Sequence, residues 1–303
     1  MIVRLAADGV SATVDPVAGG RLASLVVGGR ERLIDVPNLR AELPAISWGS
    51  FAMIPWVGRI RHGQLTWAGT TFALPRNLGE HAIHGAAFDQ TWAVTAVDER
   101  SVELRLSLAA TARWPFAAEL VQVIALTPDA IAFRAEVRAE RAMPVAIGWH
   151  PWFRRHGDEP IEVTVPAEFV LETTDDIIPT GVLLPVDGPT DLRRAVDVMD
   201  RRLDHAFVAV TGPCRVAWPD LELSIDAEPV GSVVVHTTPT AVCVEPQTAW
   251  PDAVRLAAAG AATGLVALEA GDTFVATSRW TWRRAGVDGP AGEGERAGDE
   301  ERT

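Results

Sequence analysis

Lysine and tyrosine are both missing from the 303 residues, so all 27 basic side chains are arginine. The first absence excludes Schiff-base chemistry and a lysine general base. The second excludes a tyrosine acid or nucleophile. Cysteine is scarce: Cys214 and Cys243 are the only two, both in apolar, strand-like contexts. They read as ordinary buried thiols, not as a disulfide framework or a zinc site. No apolar run approaches membrane-spanning length, and the N-terminus lacks the charged-then-apolar pattern of a signal peptide. A soluble, cytoplasmic protein is the expectation. Phosphate-cradling glycine loops are absent, and so is a GxSxG elbow. The formal net charge of −13 argues against nucleic acid and anionic membranes as partners.

What is present alternates with a period of two almost throughout. Residues 216–225 and 273–282 show it most clearly. Gly28-Gly29, Trp67-Ala68-Gly69-Thr70 and Thr127-Pro128-Asp129-Ala130 look like hairpin turns. Residues 91–108 read as two strands around Asp98-Glu99-Arg100, and 116–126 pairs with 131–139. Short helical turns are expected near 48–53 and 191–198. Proline and glycine recur too often for long helices. Many short strands with turn residues between them predict an all-β sandwich or barrel. At this length folding buries roughly 75% of the chain's surface, and no linker divides it. A single domain over 1–284 is expected, followed by a disordered acidic tail over 285–303.

The stretch 242–253, VCVEPQTAWPDA, ends an apolar run in a carboxylate. Pro246 has no N–H, so Glu245 is expected where a strand gives way to a loop. Cys243, Val244, Pro246 and Trp250 supply apolar walls that would raise its proton affinity, as suits a general base. His150 is placed similarly, before Pro151 and among Trp149, Trp152 and Phe153. Arg59 lies in PWVGRIRHG (55–63), His84 in HAIHG (81–85) and Asp204 in LDHAF (203–207). Taken singly, each has a plainer explanation: a surface ion pair, a satisfied core histidine, an aspartate capping a turn. A metal site drawn from His84, His150 and Glu245 has no ligand spacing to enforce it.

These motifs in this order, with GWHPWF (148–153) and the opening GGRLASLVVGGRERL (19–33), resemble the aldose 1-epimerase (galactose mutarotase) family. The resemblance covers about residues 10–283. It implies an antiparallel β-supersandwich with a sugar cleft on one face, and catalysis without cofactor or metal. By the family's pattern Glu245 is the general base and His150 the general acid. His84 binds the ring region, and Arg59 and Asp204 hold hydroxyls. Apart from that pattern, Trp152 lies within a motif and is a candidate for stacking on the sugar. Trp48, Trp56 and Trp250 are further stacking candidates. The chain departs from the pattern at Gly58, where the family usually has Asn, at Trp152, often Tyr, and at Ala86, often Gly.

Anomer exchange needs a proton removed from the anomeric hydroxyl and one delivered to the ring oxygen. The expectation is therefore an acid and a base on opposite sides of that carbon, a pyranose width apart. The partner is a small-molecule sugar, with the chain a monomer or homodimer. A hexose 6-phosphate is the alternative substrate, with Arg61, Arg154 and Arg155 as phosphate ligands. A non-catalytic sugar-binding sandwich is the alternative of another class.

Overall fold

A computed structural model describes residues 1–35 and 44–284; the tail expected over 285–303 lies outside the described residues. Period-two sequence makes strands with two chemically distinct faces, and these assemble into a 12-stranded and a 9-stranded sheet among the described residues. The larger sheet runs, edge inward, through Val3–Ala7, Val10–Asp15, Arg21–Val27 and Ser50–Met53. It continues through Gly148–Pro151, Ala241–Gln247, Ser232–Thr237 and Asp204–Val210 to Ala167–Thr173 and Pro179–Pro185. The smaller sheet centres on Ala118–Leu126, Ala130–Ala139, Thr273–Arg284 and Leu221–Glu228. Neighbours within both are antiparallel, so the all-β, antiparallel supersandwich expectation holds.

One continuous core lies between the sheets. Val233, Val235, Val242 and Val244 enter it from the larger sheet; Leu120, Ile124, Val137 and Trp280 enter it from the smaller. Phe153 meets Trp280 at 5.3 Å and Trp149 meets Phe133 at 6.2 Å between ring centroids, both across the layer. Each strand of the larger sheet that feeds this core turns its alternate residues to the opposite face. That second face carries Phe51, His150, Val234, His236, Cys243, Glu245 and Gln247.

The three expected hairpins are present, with Val27 opposite Arg30, Trp67 opposite Thr70 and Leu126 opposite Ile131. The helical turn expected near 48–53 is not, since Ser50–Met53 is a strand; the one expected near 191–198 lies just ahead of it, as the single turn Gly188–Thr190 capped by Asp191, and Val196–Asp197 is a short strand. Ser50–Met53 is buried on both faces, so it shows no alternation and its apolar run resembles a buried turn. The helix Ala253–Ala258 was not expected.

Glu245 also corrects the simplest use of the proline rule. The strand Ala241–Gln247 runs past it, and Pro246 pairs with Val233 inside the sheet. The other neighbour is interrupted there: it pairs at Gly148–Gln247 and again only at Phe153–Val242. Thr248 donates to Ile147 on that side, while the Gln247 carbonyl accepts from Gly231 on the other. Alternation therefore points the Pro246 nitrogen at the interruption, where no ladder bond is lost.

Candidate active site

The Gly148–Gln247 pairing brings His150 and Glu245 together on the second face. Nε2 of His150 lies 3.2 Å from Oε1 of Glu245. The two stand within ion-pair distance of each other, and so not across a gap of pyranose width as expected. Register sets this spacing, and register is invisible in either motif alone. Both side chains form the floor of a cavity of about 280 Å³. Arg59, His84, Trp152 and Asp204 line the same cavity.

His84 is held by backbone conformation. It sits in the left-handed region at φ +63°, followed by Gly85 at +81°. A Cβ on Gly85 would lie 2.2 Å from the Ile54 carbonyl oxygen, so the close approach requires glycine. His84 N–H donates to the Gly58 carbonyl at 3.0 Å. Arg59 pairs with Ile83 across a two-stranded ladder, which joins the first two motifs into one wall. Its Nη2 reaches Oδ2 of Asp204 at 3.5 Å. Asp204 in turn stands opposite His236 in the neighbouring strand, with Nδ1 of His236 3.8 Å away.

The His150 ring stacks on Phe51 at 4.9 Å and on Trp152 at 5.1 Å. Beneath Phe51 is the buried Arg21, 5.1 Å from that ring and donating to the carbonyls of Ala18, Trp48 and Phe88. Of the four tryptophans proposed as platforms, only Trp152 lines the cleft. Trp48 lies over Arg21, Trp56 stacks on Trp114, and Trp250 packs in a separate cluster. Aromatic side chains fill cores more often than clefts, and sequence does not separate the two.

Burial governs the proton affinities. It pushes the Glu245 carboxyl well up, helped by the charge of Asp204, while a hydrogen bond from Gln247 and the charge of Arg59 pull the other way. It pushes His150 well down, with His84, His236 and Arg21 adding repulsion. His84 falls to about 3, again chiefly by burial, then by Arg59 and His236. Cys243 lies under the pair, and burial drives its thiol well up. A buried neutral imidazole beside a buried neutral carboxylic acid is isoprotic with an imidazolium–carboxylate pair. The contact can therefore hold one mobile proton without changing its net charge.

Gln247, His205 and His236 also line the cleft and were not among the expected site residues. Gln247 was findable, since it lies two residues from Glu245 on the same face. His236 was not, because only the pairing with Asp204 brings it in. His81 is not in the cleft: it accepts from His62 N–H and sits 3.0 Å from Asp176. Arg154 pairs with Asp35 and the Leu33 carbonyl, and neither it nor Arg61 lines the cleft. Gly58, where the family usually has Asn, has its own local cause. It adopts φ +57°, and a Cβ there would lie 2.6 Å from Pro251. Gly58→Asn is expected to cost about 1–3 kcal/mol through that overlap, seen as a lowered urea midpoint. An unchanged midpoint would mean that Pro251 gives way freely.

Fold and cleft together define an antiparallel supersandwich protein with a buried histidine–glutamate pair lining a cavity of about 280 Å³. The chain matches the aldose 1-epimerase family over residues 1–281, and it belongs to that family. It is 27% identical over 156 residues to galactose mutarotase of Mus musculus, covering 48% of this chain and 46% of that protein. Against galactose mutarotase of Rattus norvegicus the identity is 28% over 149 residues, 46% of this chain and 44% of that one. The matched stretch thus spans under half the length of these relatives. Among solved structures, the GalM/aldose epimerase homologue of C. elegans superposes with a TM-score of 0.83 at 18% identity, covering 94% of this chain and 99% of that one. Galactose 1-epimerase of Lactobacillus acidophilus gives 0.78 at 16% identity, with 93% of each chain covered. At such identities the likeness establishes the fold. Among the described residues no helix is long and apolar enough to cross a membrane.

Proposed function

We propose that this protein is an isomerase, a mutarotase interconverting the α and β anomers of a free hexose. The observation that carries the reading is the 3.2 Å contact of His150 and Glu245 at the floor of one cavity. The two oxygens that exchange protons in ring opening, the anomeric hydroxyl and the ring oxygen, are bonded to one carbon. An adjacent acid and base suit such a geminal pair. Starting from imidazolium and carboxylate, Glu245 takes the anomeric O–H proton and the C1–O1 bond becomes a carbonyl. The bond from C1 to the ring oxygen breaks, and that oxygen takes the Nε2 proton of His150. Both protein groups end neutral, the form that burial favours. After rotation about C1–C2 the steps reverse on the other face of the aldehyde. Arg59 and Asp204 hold ring hydroxyls, His84 contacts the ring region, and Trp152 flanks the sugar. No step calls for a cofactor.

One observation favours a phosphorylated hexose as a second reading. A groove of about 740 Å³ continues from the cleft, sharing Asp204, His205 and His236, and adds Arg155, Arg201 and Arg202. Arg155 also donates to the Met199 and Val198 carbonyls, and Arg201 to the Pro189 carbonyl. Polarimetry on fresh α-glucose, α-galactose and glucose 6-phosphate separates the cases. Faster mutarotation of the free sugars supports the first reading, and preference for the phosphate supports the second. Saturable sugar binding with no acceleration would leave only a sugar-binding sandwich.

A further inference from the structure

Cys243 has no part in the chemistry above, yet it lies on the face that carries Glu245, two residues along the same strand. The ligand atoms of His150, Cys243 and Glu245 all fall within 4.8 Å of one another, and all three residues are buried. We propose that these three side chains form a binding site for a soft divalent cation of the zinc group, and that filling it shuts off proton transfer.

The donor set fits that class of ion. Thiolate and imidazole nitrogen select zinc-group ions over magnesium and calcium, which want oxygen. Thiolate and carboxylate together cancel the two positive charges, so with a neutral imidazole the complex is neutral. Neutrality matters in a pocket where an unbalanced charge is costly. Tetrahedral zinc, with bonds of about 2.0–2.3 Å, would need the donors to close by on the order of 1 Å; a larger ion needs less. His150 and Glu245 border the cavity, which provides the entry path, and its open side leaves a coordination position free. A cation there takes the Nε2 lone pair and the carboxylate at once. Neither group can then exchange a proton with a sugar, and the ion occupies the floor on which the sugar rests. The inhibition rests on the proton-transfer roles proposed above; the binding does not.

The chain's two thiols make the test clean, because a thiolate–cadmium absorption band can be assigned by removing either one. The second, Cys214, is buried in the other sheet, in the strand Cys214–Trp218. Cadmium titrated into the full chain is expected to give that ultraviolet band at one ion per chain. Mutarotation should be lost in parallel and recovered with EDTA. Cys214→Ala should behave as the parent. Cys243→Ala and Cys243→Ser should lose the band and keep their activity in cadmium, while His150→Asn should weaken cadmium binding about tenfold or more. Magnesium should do nothing. Absence of the band in the parent, or its survival in both folded Cys243 variants, overturns the site. A band without any mutarotase activity in the metal-free protein would retain the site and reject the catalytic reading.

Discussion

Glu245→Gln is expected to slow anomer exchange by roughly 10²–10⁴-fold, with His150→Asn causing a loss of similar size. Both replacements keep the approximate shape of the side chain while removing its ability to carry the moving proton. In the proposed mechanism each ring opening uses both groups, so the double variant should be little worse than either single one. Additive losses would mean that the two act on separate steps. Folding is the competing explanation for any loss of activity, and stability distinguishes it. Glu245 is 2% exposed and its ionised form is disfavoured by burial, so an amide in its place removes a desolvation cost. The Gln variant should therefore unfold at the parent's temperature or above it. A slow, stable variant supports the assignment. Polarimetric rates within about threefold of the parent in both single variants would sink it.

Why the residues of this pair could be named from the chain, and their geometry could not, has a physical answer. A side chain's place along its own strand is written locally, in the period of two and in the turns. This is why the hairpins at Gly28-Gly29 and Thr127–Ala130 and the strand start at Asp204 were legible. The six candidate residues were drawn from five separated motifs, and they converge on one cavity. What joins them is register between strands distant in sequence: Gly148 with Gln247, Asp204 with His236, His150 with Phe51. No motif encodes those pairings by itself. This is why the acid and base were expected to face each other across a sugar, why Pro246 was read as a strand end, and why His236 was missed. The central strands add a second difficulty. Ala241–Gln247 is buried at every position, so its two faces differ in chemistry, thiol and carboxylate against valine, and not in hydropathy.

The cleft histidines should make the fold acid-sensitive, and His84 offers the best-defined case. Its proton affinity drops from an ordinary 6.5 to about 3 on folding. A group whose folded pKa is depressed contributes stability above the unfolded value and loses it as the pH falls toward the folded one. Below pH 6.5 the unfolded chain gains a proton on this residue that the folded chain cannot accept. That costs about 1.4 kcal/mol per pH unit. His150 and His236 are shifted in the same direction by the same cause. Glu245 acts oppositely: its raised affinity gives stability that is full below 4.5 and lost as the pH rises. The slope of the parent alone therefore mixes both signs, and a difference between two proteins is the cleaner measurement. His84→Asn supplies it, because Asn stays neutral throughout and tolerates the left-handed backbone found there. Relative to the parent, the variant should gain about 3 kcal/mol between pH 7 and pH 4.5, read from urea midpoints at each pH. A difference that stays flat over that range would mean that the ring at position 84 takes up a proton in the folded protein as readily as in water.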